Sequence, residues 1–350
     1  MDSAIHYRII KNPSSLQRLG RSIWVLLTLM VIWDQTSANY VRYEYYTDGE
    51  ESIVESSTST DGTTLLMSLP ETTLVEQEEE EKGNSQISTT DSVDVVSSEN
   101  DDYYCREDLC SQYDQTGQLV RKQHVACGHD GSFAADCPPG RTLFKIDSQL
   151  RAFLIHLHNE ARNRLANGSM EGFEAASRMP TVVWNDELAV LAELNAKSCQ
   201  FKHDECRNTE LYRQAGQNLA IGYYPVEENL FDILQKLTTL WFDEYRLANQ
   251  TLMDTFMSPP NVTIGHFTQM ISDRTTAIGC GIVIYPQKVA GYTFKVVLYA
   301  CNYSITSIYS QPVYRKGPVG AGCVAGMNPL YGGLCSEEEN QLIRSVPFYE

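Results

Sequence analysis

The most metal-like pattern in the chain is C-x3-H-x2-C, formed by Cys199, His203 and Cys206. Two thiolates and an imidazole at such spacing suit a tetrahedral zinc ion. In an oxidising compartment the same sulfurs go into disulfides instead, and ten cysteines, an even number, favour that fate. His266 is a second candidate, in the run GHFTQM just ahead of a β-branched stretch. A histidine placed there is held rigidly at the edge of a sheet, and an ordinary structural histidine is the plainer reading. His158, within HNEAR at 158–162, hints at catalysis, against which stands a charged helix face that anchors neighbouring loops. The chain has no GxSxG nucleophile elbow, no HExxH zinc helix and no Walker loop. The even cysteine count leaves no obvious thiol nucleophile.

These residues need elements to hold them. Residues 277–285 and 292–303 are apolar and β-branched, with a turn-like PQKVAG between them; they predict an antiparallel hairpin that can bring Cys280 and Cys301 within disulfide reach. Leu150, Phe153, Leu154, Leu157, Ala161 and Leu165 recur at helical spacing, with Asp147 or Ser148 as N-cap and Gly168 as a stop. HNEARNR at 158–164 falls on the opposite face of that helix. A second helix is predicted over about 186–199 behind Asn185, and GQNLAIG at 216–222 reads as a glycine-punctuated loop. A third, over about 228–245, sets Leu230, Ile233, Leu234, Leu237 and Trp241 on one face, with Glu244 near its end. Helices first and strands later predict an α+β domain, its helices covering a mostly antiparallel sheet.

Charge and composition bound the function. The net charge is −18, much of it before residue 103, and no cluster of Lys and Arg is present to meet phosphates, so nucleic acid is excluded as a partner. Arg8, Lys11, Arg18 and Arg21 precede an apolar run at 23–33, which is shorter than the roughly 20 residues a bilayer span takes. With the small residues Thr36, Ser37 and Ala38 behind it, residues 1–38 read as a signal peptide. An uncleaved signal anchor, the one route to a membrane, is the alternative.

Residues 39–103 are acidic and rich in Ser and Thr, with too little apolar surface to offset the entropy of ordering, and are expected to be disordered. Tyr43, Tyr45, Tyr46, Tyr103 and Tyr104 lie among acids, where sulfation during secretion is a reading beside a plain solvated spacer. Cys105, Cys110, Cys127 and Cys137 mark residues 104–146 as a loop-rich collar dependent on covalent ties. A globular core follows at 147–316, then a tail at 317–350 in which Cys323 and Cys335 enclose a small loop. Sequons at Asn167, Asn249 and Asn261 fit a secreted glycoprotein; a fourth, at Asn302, sits in a predicted strand and is not expected to be used.

Read together and in order, HNEAR at 158–162, Cys199 followed by His203, GQNLA at 216–220, WFDE at 241–244, GHFTQM at 265–270, CNYS at 301–304 and PVY at 312–314 resemble the CAP superfamily of cysteine-rich secretory, antigen 5 and pathogenesis-related proteins. The resemblance covers about 147–316 and is nearest the insect antigen 5 or venom-allergen branch, whose N-terminal extension the collar also resembles. Three departures stand out. Ser272 replaces a common Trp, Gln217 stands where many members have Glu, and SITSIYS follows the strand motif in place of a run with Pro and Gly.

The resemblance implies an α–β–α sandwich. It also implies the pairs Cys105–Cys127, Cys110–Cys206, Cys137–Cys199 and Cys280–Cys301, leaving Cys323 for Cys335. In the resemblance His203, Glu244 and His266 match three members of a cleft tetrad, with Gln217 as the fourth. Such a set offers nitrogen and oxygen ligands for weakly held zinc or another divalent ion, though no cofactor is required. The function expected is that of a secreted, non-catalytic extracellular factor in venom, saliva or reproductive fluid, binding a protein receptor or a small lipid. A divalent-metal-dependent hydrolase is the alternative, hampered because only Glu244 remains to serve as base. Channel modulation would need an added cysteine-rich domain that two trailing cysteines do not supply.

Overall fold

The computed structural model describes residues 5–7, 40–47, 50–57, 103–113, 118–257 and 259–341. Strands β1 (Ile5–Tyr7), β2 (Tyr40–Thr47) and β3 (Glu50–Ser57) pair antiparallel in that order. Residues 40–47 and 50–57 of these strands fall within the segment expected to be disordered. The rest of 39–102 and the apolar run at 23–33 lie outside the described residues. Among the described residues no helix is long and apolar enough to cross a membrane.

The collar carries one helical turn, α1 (Glu107–Cys110), and a short ladder of β4 (Ser111–Tyr113) with β5 (Leu119–Arg121). Tyr104 stacks on His124 and its hydroxyl donates to Glu187 at 3.0 Å, so this tyrosine serves as a hinge pin between collar and core. That use competes with sulfation. The neighbouring Tyr103 oxygen accepts the Glu210 amide at 3.1 Å.

Then come β6 (Thr142–Leu143), α2 (Ser148–Ala166), β7 (Val183–Trp184), α3 (Asp186–Ala196), β8 (Gly216–Tyr224), α4 (Leu230–Asp243), a 3-10 turn (Glu244–Leu247), α5 (Gln250–Asp254), α6 (Gly265–Ile271), β9 (Ala277–Val289) and β10 (Tyr292–Tyr303). The sheet runs β6-β9-β10-β8, with β7 joining β9 in parallel, and every other pairing is antiparallel. The alternation of side chains along each strand divides the core into two layers. Ile278, Cys280, Ile282, Val297, Tyr299 and Tyr303 face α2, α4 and α6 with Leu154, Leu237, Trp241 and Phe267. Val283, Tyr285, Val296 and Leu298 face the other way, beside Ala196 of α3. The result is an α–β–α sandwich. Gly279 and Gly281 let α3 lie directly on β9, since a Cβ at either would collide with the helix backbone at Ala189 or Glu193.

Several elements differ from the sequence reading. Residues 216–222 are not a loop but most of edge strand β8, because Leu219 and Ile221 pack against the α3 side while Ala220 packs on the other. Helix α3 stops at Ala196, three residues early, and Cys199 takes a left-handed φ of 54° where it joins the collar disulfide. The hairpin turn is only Ala290–Gly291, both at positive φ, and Pro286 lies inside β9 opposite Lys295.

HNEARNR anchors neighbouring loops as expected, through Arg162, but from within the core. His158, Asn159 and Arg162 are all buried. Their burial is sustained because their polar atoms find partners. Asn159 exchanges two hydrogen bonds with the Val182 backbone, and His158 bridges the Leu154 carbonyl and the Tyr303 hydroxyl.

Burial pulls the His158 pKa down to about 4. The unfolded chain, with a histidine pKa near 6.5, takes up a proton that the fold refuses. Stability is expected to fall as pH drops from about 6.5 to about 4, by about 3 kcal/mol at most. Comparing melts of the protein and of His158→Gln over that range checks it: the variant should lose much of the slope, and equal slopes would refute the assignment.

Five disulfides join Cys105–Cys127, Cys110–Cys206, Cys137–Cys199, Cys280–Cys301 and Cys323–Cys335, and no described cysteine is free. The tail beyond 317 folds back onto the core. Glu339, almost fully buried, pairs with Arg178 at 2.8 Å and accepts the Val324 and Ala325 amides.

Candidate functional site

Four elements meet where α6 starts. The last turn of α4 delivers Trp241, and the 3-10 turn that continues it delivers Glu244 three residues on. Glu244 is fully buried and all its bonds go to α6: Oε1 accepts from His266 Nδ1 at 2.6 Å, and Oε2 from the His266 and Phe267 amides at 2.8 and 3.1 Å. A carboxylate on those first N–H groups does the work of an N-cap. Trp241, whose indole N–H donates to the Leu219 carbonyl at 3.0 Å, stacks under the His266 ring at 6.1 Å. His266 is therefore fixed by a helix start, a carboxylate and an indole. The sheet edge expected to hold it contributes one bond, from the Asn218 amide of β8 to the His266 carbonyl at 3.1 Å.

On the facing side His203 Nδ1 bonds Gln217 Oε1 at 2.7 Å. Gln217 Nε2 donates to Asp204 Oδ2 at 2.8 Å and to Asn302 Oδ1 at 2.9 Å. His203 is close enough to His266 to feel its charge, and burial, above all, lowers the His203 pKa. Both imidazoles use Nδ1 on an acceptor, which leaves Nε2 of each turned to other use. His203 and Asp204 also line a groove of about 540 Å³ between the core and the collar, with His129, Phe133 and Lys197 across from them.

His203, Gln217, Glu244 and His266 are therefore brought into one cleft, but not as four equivalent ligands. Glu244, one of the residues expected at the metal, uses both oxygens to orient His266 and cap α6. Gln217 likewise spends its oxygen on His203. What the donor set offers a divalent ion is two imidazole nitrogens, with the carboxylate and the amide behind them as orienting partners. That set fits a loosely held ion completed by water, and falls short of the three protein ligands usual at catalytic zinc.

The zinc-finger reading of 199–206 fails outright, because Cys199 pairs with Cys137 and Cys206 with Cys110. Among the described residues, the only three His, Cys, Asp or Glu side chains whose ligand atoms fall within 4.8 Å of one another are Cys110, His124 and Cys206. Their sulfurs form that disulfide, and His124 is tied to the Asn208 carbonyl and the Ala126 amide.

Reading the sequence missed Asp204, Asn218 and Asn302 as members of the cleft. Asn302 drew attention only as a sequon; it is wholly buried and its amide donates to Leu188, at the edge of α3. Asn218 ties the Tyr303 hydroxyl to the His266 carbonyl. No spacing rule points to these; only their place next to Gln217 and Cys301 in the chain does. The other three sequons are exposed, with Asn167 and Asn249 each accepting a nearby backbone amide through Oδ1 and Asn261 in a left-handed turn at φ 67°.

An α–β–α sandwich of this layering is that of a CAP-type domain. Residues 155–303 match the family model described as CAP, cysteine-rich secretory protein family. The chain belongs to that family. Venom allergen-1 of Aedes aegypti is 40% identical over 238 residues, covering 67% of this chain and 88% of that protein. The antigen 5 like allergen Cul n 1 of Culicoides nubeculosus is 38% identical over 181 residues, or 51% of this chain and 82% of that one. Among solved structures, NaASP2 with Zn2+ aligns over 57% of this chain and 100% of its own, at 21% identity and a TM-score of 0.44. These relatives are venom and allergen proteins, and five disulfides suit an oxidising, extracellular setting.

Proposed function

We propose that the protein is a secreted, non-catalytic extracellular binding factor whose cleft takes a divalent cation weakly through His203 and His266. The observation that carries this is the complete use of Glu244 in holding His266 and α6. A general base must reach the proton it abstracts. The cleft's Glu244 carboxylate is buried behind the imidazole it orients, and the amide of Gln217 cannot take a proton in its place. Metal-assisted hydrolysis would have to find its base elsewhere.

A second groove of about 380 Å³ between α2 and α4, floored by Leu157, Ala161, Phe242 and Met270 and rimmed by Glu160, Arg164 and Asp243, supports a small amphipathic ligand in addition. Native mass spectrometry of the secreted protein, with and without Zn2+ and beside a His203→Ala/His266→Ala variant, tests both. One zinc ion per chain, absent from the variant, is the expected result. Zinc retained by the variant would refute the cleft assignment, and a lipid-sized adduct on both proteins would favour the helical groove as the main site. Hydrolysis that needs zinc and survives only in the unmutated protein would overturn the non-catalytic reading.

A further inference from the structure

We infer that Asp204 is a positioning residue of the cleft. Acting through the Gln217 amide, it keeps the His203 proton on Nδ1 and so holds the Nε2 lone pair bare. The metal arm of this inference rests on the function proposed above; the tautomer arm does not.

The chain of donors and acceptors admits one reading. Asp204 is held by Arg207, whose Nε bonds Oδ1 at 2.8 Å, and its side chain is only 8% exposed. Its other oxygen faces two amide groups, Asn195 Nδ2 at 3.0 Å and Gln217 Nε2 at 2.8 Å. A carboxylate only accepts, so both of those atoms must be donors. Asn302 agrees, because its own Nδ2 is committed to the Leu188 carbonyl, leaving Oδ1 to accept from Gln217. Gln217 is thereby locked with Oε1 toward His203. An amide oxygen also only accepts, so the proton lies on His203 Nδ1 and Nε2 carries the lone pair. His266 has the shorter arrangement, its Nδ1 facing the Glu244 carboxylate directly.

Gln217 marks a place where many members of the resembled superfamily have Glu, and where the insect branch shares the Gln. A glutamine there has no charge and no preferred face of its own, since its two ends are nearly the same shape. Asp204 supplies both what is missing: a fixed negative charge and a reason for the amide to face one way. The two positions form a matched pair in which the carboxylate sits one hydrogen bond further from the imidazole. A carboxylate at 217 beside Asp204 would instead set two acceptors against each other at the distance now bridged by a donor.

The test uses the full secreted chain and two readouts, the tautomers of His203 and His266 from long-range 15N–1H correlations and the affinity for Zn2+ alone. The unmutated protein should show Nδ1–H at both rings. In Asp204→Asn, Arg207 retains the new amide's oxygen and its NH2 is turned on the Gln217 and Asn195 donors. A substantial Nε2–H population is then expected at His203 but not at His266, with zinc affinity lower by about tenfold or more. Asp204→Glu, which keeps the charge, should preserve Nδ1–H. Asp204→Asn/Gln217→Glu should restore both readouts, because a carboxylate at 217 accepts from His203 unaided.

Nε2–H in the unmutated protein, or an Asp204→Asn variant that changes neither readout, would overturn the inference. So would a loss that the double variant does not reverse, which would make Asp204 merely structural. If no zinc binds the unmutated protein, the cation reading of the cleft fails, while the tautomer shift still decides the role of Asp204.

Discussion

Arg162→Ala is expected to destabilise the domain by about 4 kcal/mol, the sum of several carbonyls left buried without a partner. The side chain is wholly buried, and its five N–H groups are all used: two on the Pro180 carbonyl, and one each on the carbonyls of Met270, Ser272 and Thr275. Those carbonyls close α6 and start the turn into β9, so one guanidinium from α2 ties together the loop before β7 and the segment that carries His266. Burial lowers its pKa to about 9, with Asp273 the main charge opposing that fall, and it stays cationic at neutral pH. Lysine is no substitute. It has three donors in place of a planar fork of five, and Arg162→Lys is expected to recover no more than half of the loss. Chemical denaturation with the disulfides intact measures both, and an Arg162→Ala change below about 1 kcal/mol would show that the network contributes little.

Glu244→Ala should be nearly as costly, at about 3 kcal/mol, because it strips three donors of their acceptor at once in a fully buried place. The more informative variant is Glu244→Gln. It keeps the shape but brings an NH2 against the donors at the start of α6, so part of the stability is expected to go with it. His266, no longer facing an obligate acceptor, can then carry its proton on Nε2. On the proposed reading the zinc adduct disappears from Glu244→Gln at a temperature where the fold still stands. A variant that keeps both full stability and zinc would show that Glu244 neither caps α6 nor orients the imidazole.

The two substitutions act on the same short helix from opposite ends. Glu244 holds the first amides of α6, and Arg162 holds the carbonyls that follow its last residues. With seven residues, α6 is too short to be stable alone. Its order is imported from α2 and α4, and the rigidity of His266 comes with it. The buried polar residues of HNEAR and WFDE therefore give the cleft structural support.

Much of this was open to reading in one dimension. The helical spacing from Leu150 to Leu165 with Asp147 as its cap, the Asn185 cap of α3, and the two β-branched runs joined across Cys280 and Cys301 are local patterns. Local patterns are set by side-chain period and by the few residues able to cap an orphan amide, and both are visible in sequence. Motifs in family order placed His203, Gln217, Glu244 and His266 in one cleft.

What sequence alone could not decide is how each side chain spends its hydrogen bonds. Which groups Glu244 bonds, how deeply HNEAR is buried, and whether Asp204 joins the cleft depend on atoms contributed from α2, α3, α4, β8 and β10 at once. Glycines at 216 and 222 read as loop because their type is permissive, yet pairing with β10 makes them strand. The sequence determined the elements, the compartment suggested by ten cysteines, and the family. The tertiary structure alone decided the direction of every proton in the cleft, because a buried donor must meet an acceptor and only the packed fold says which one is there.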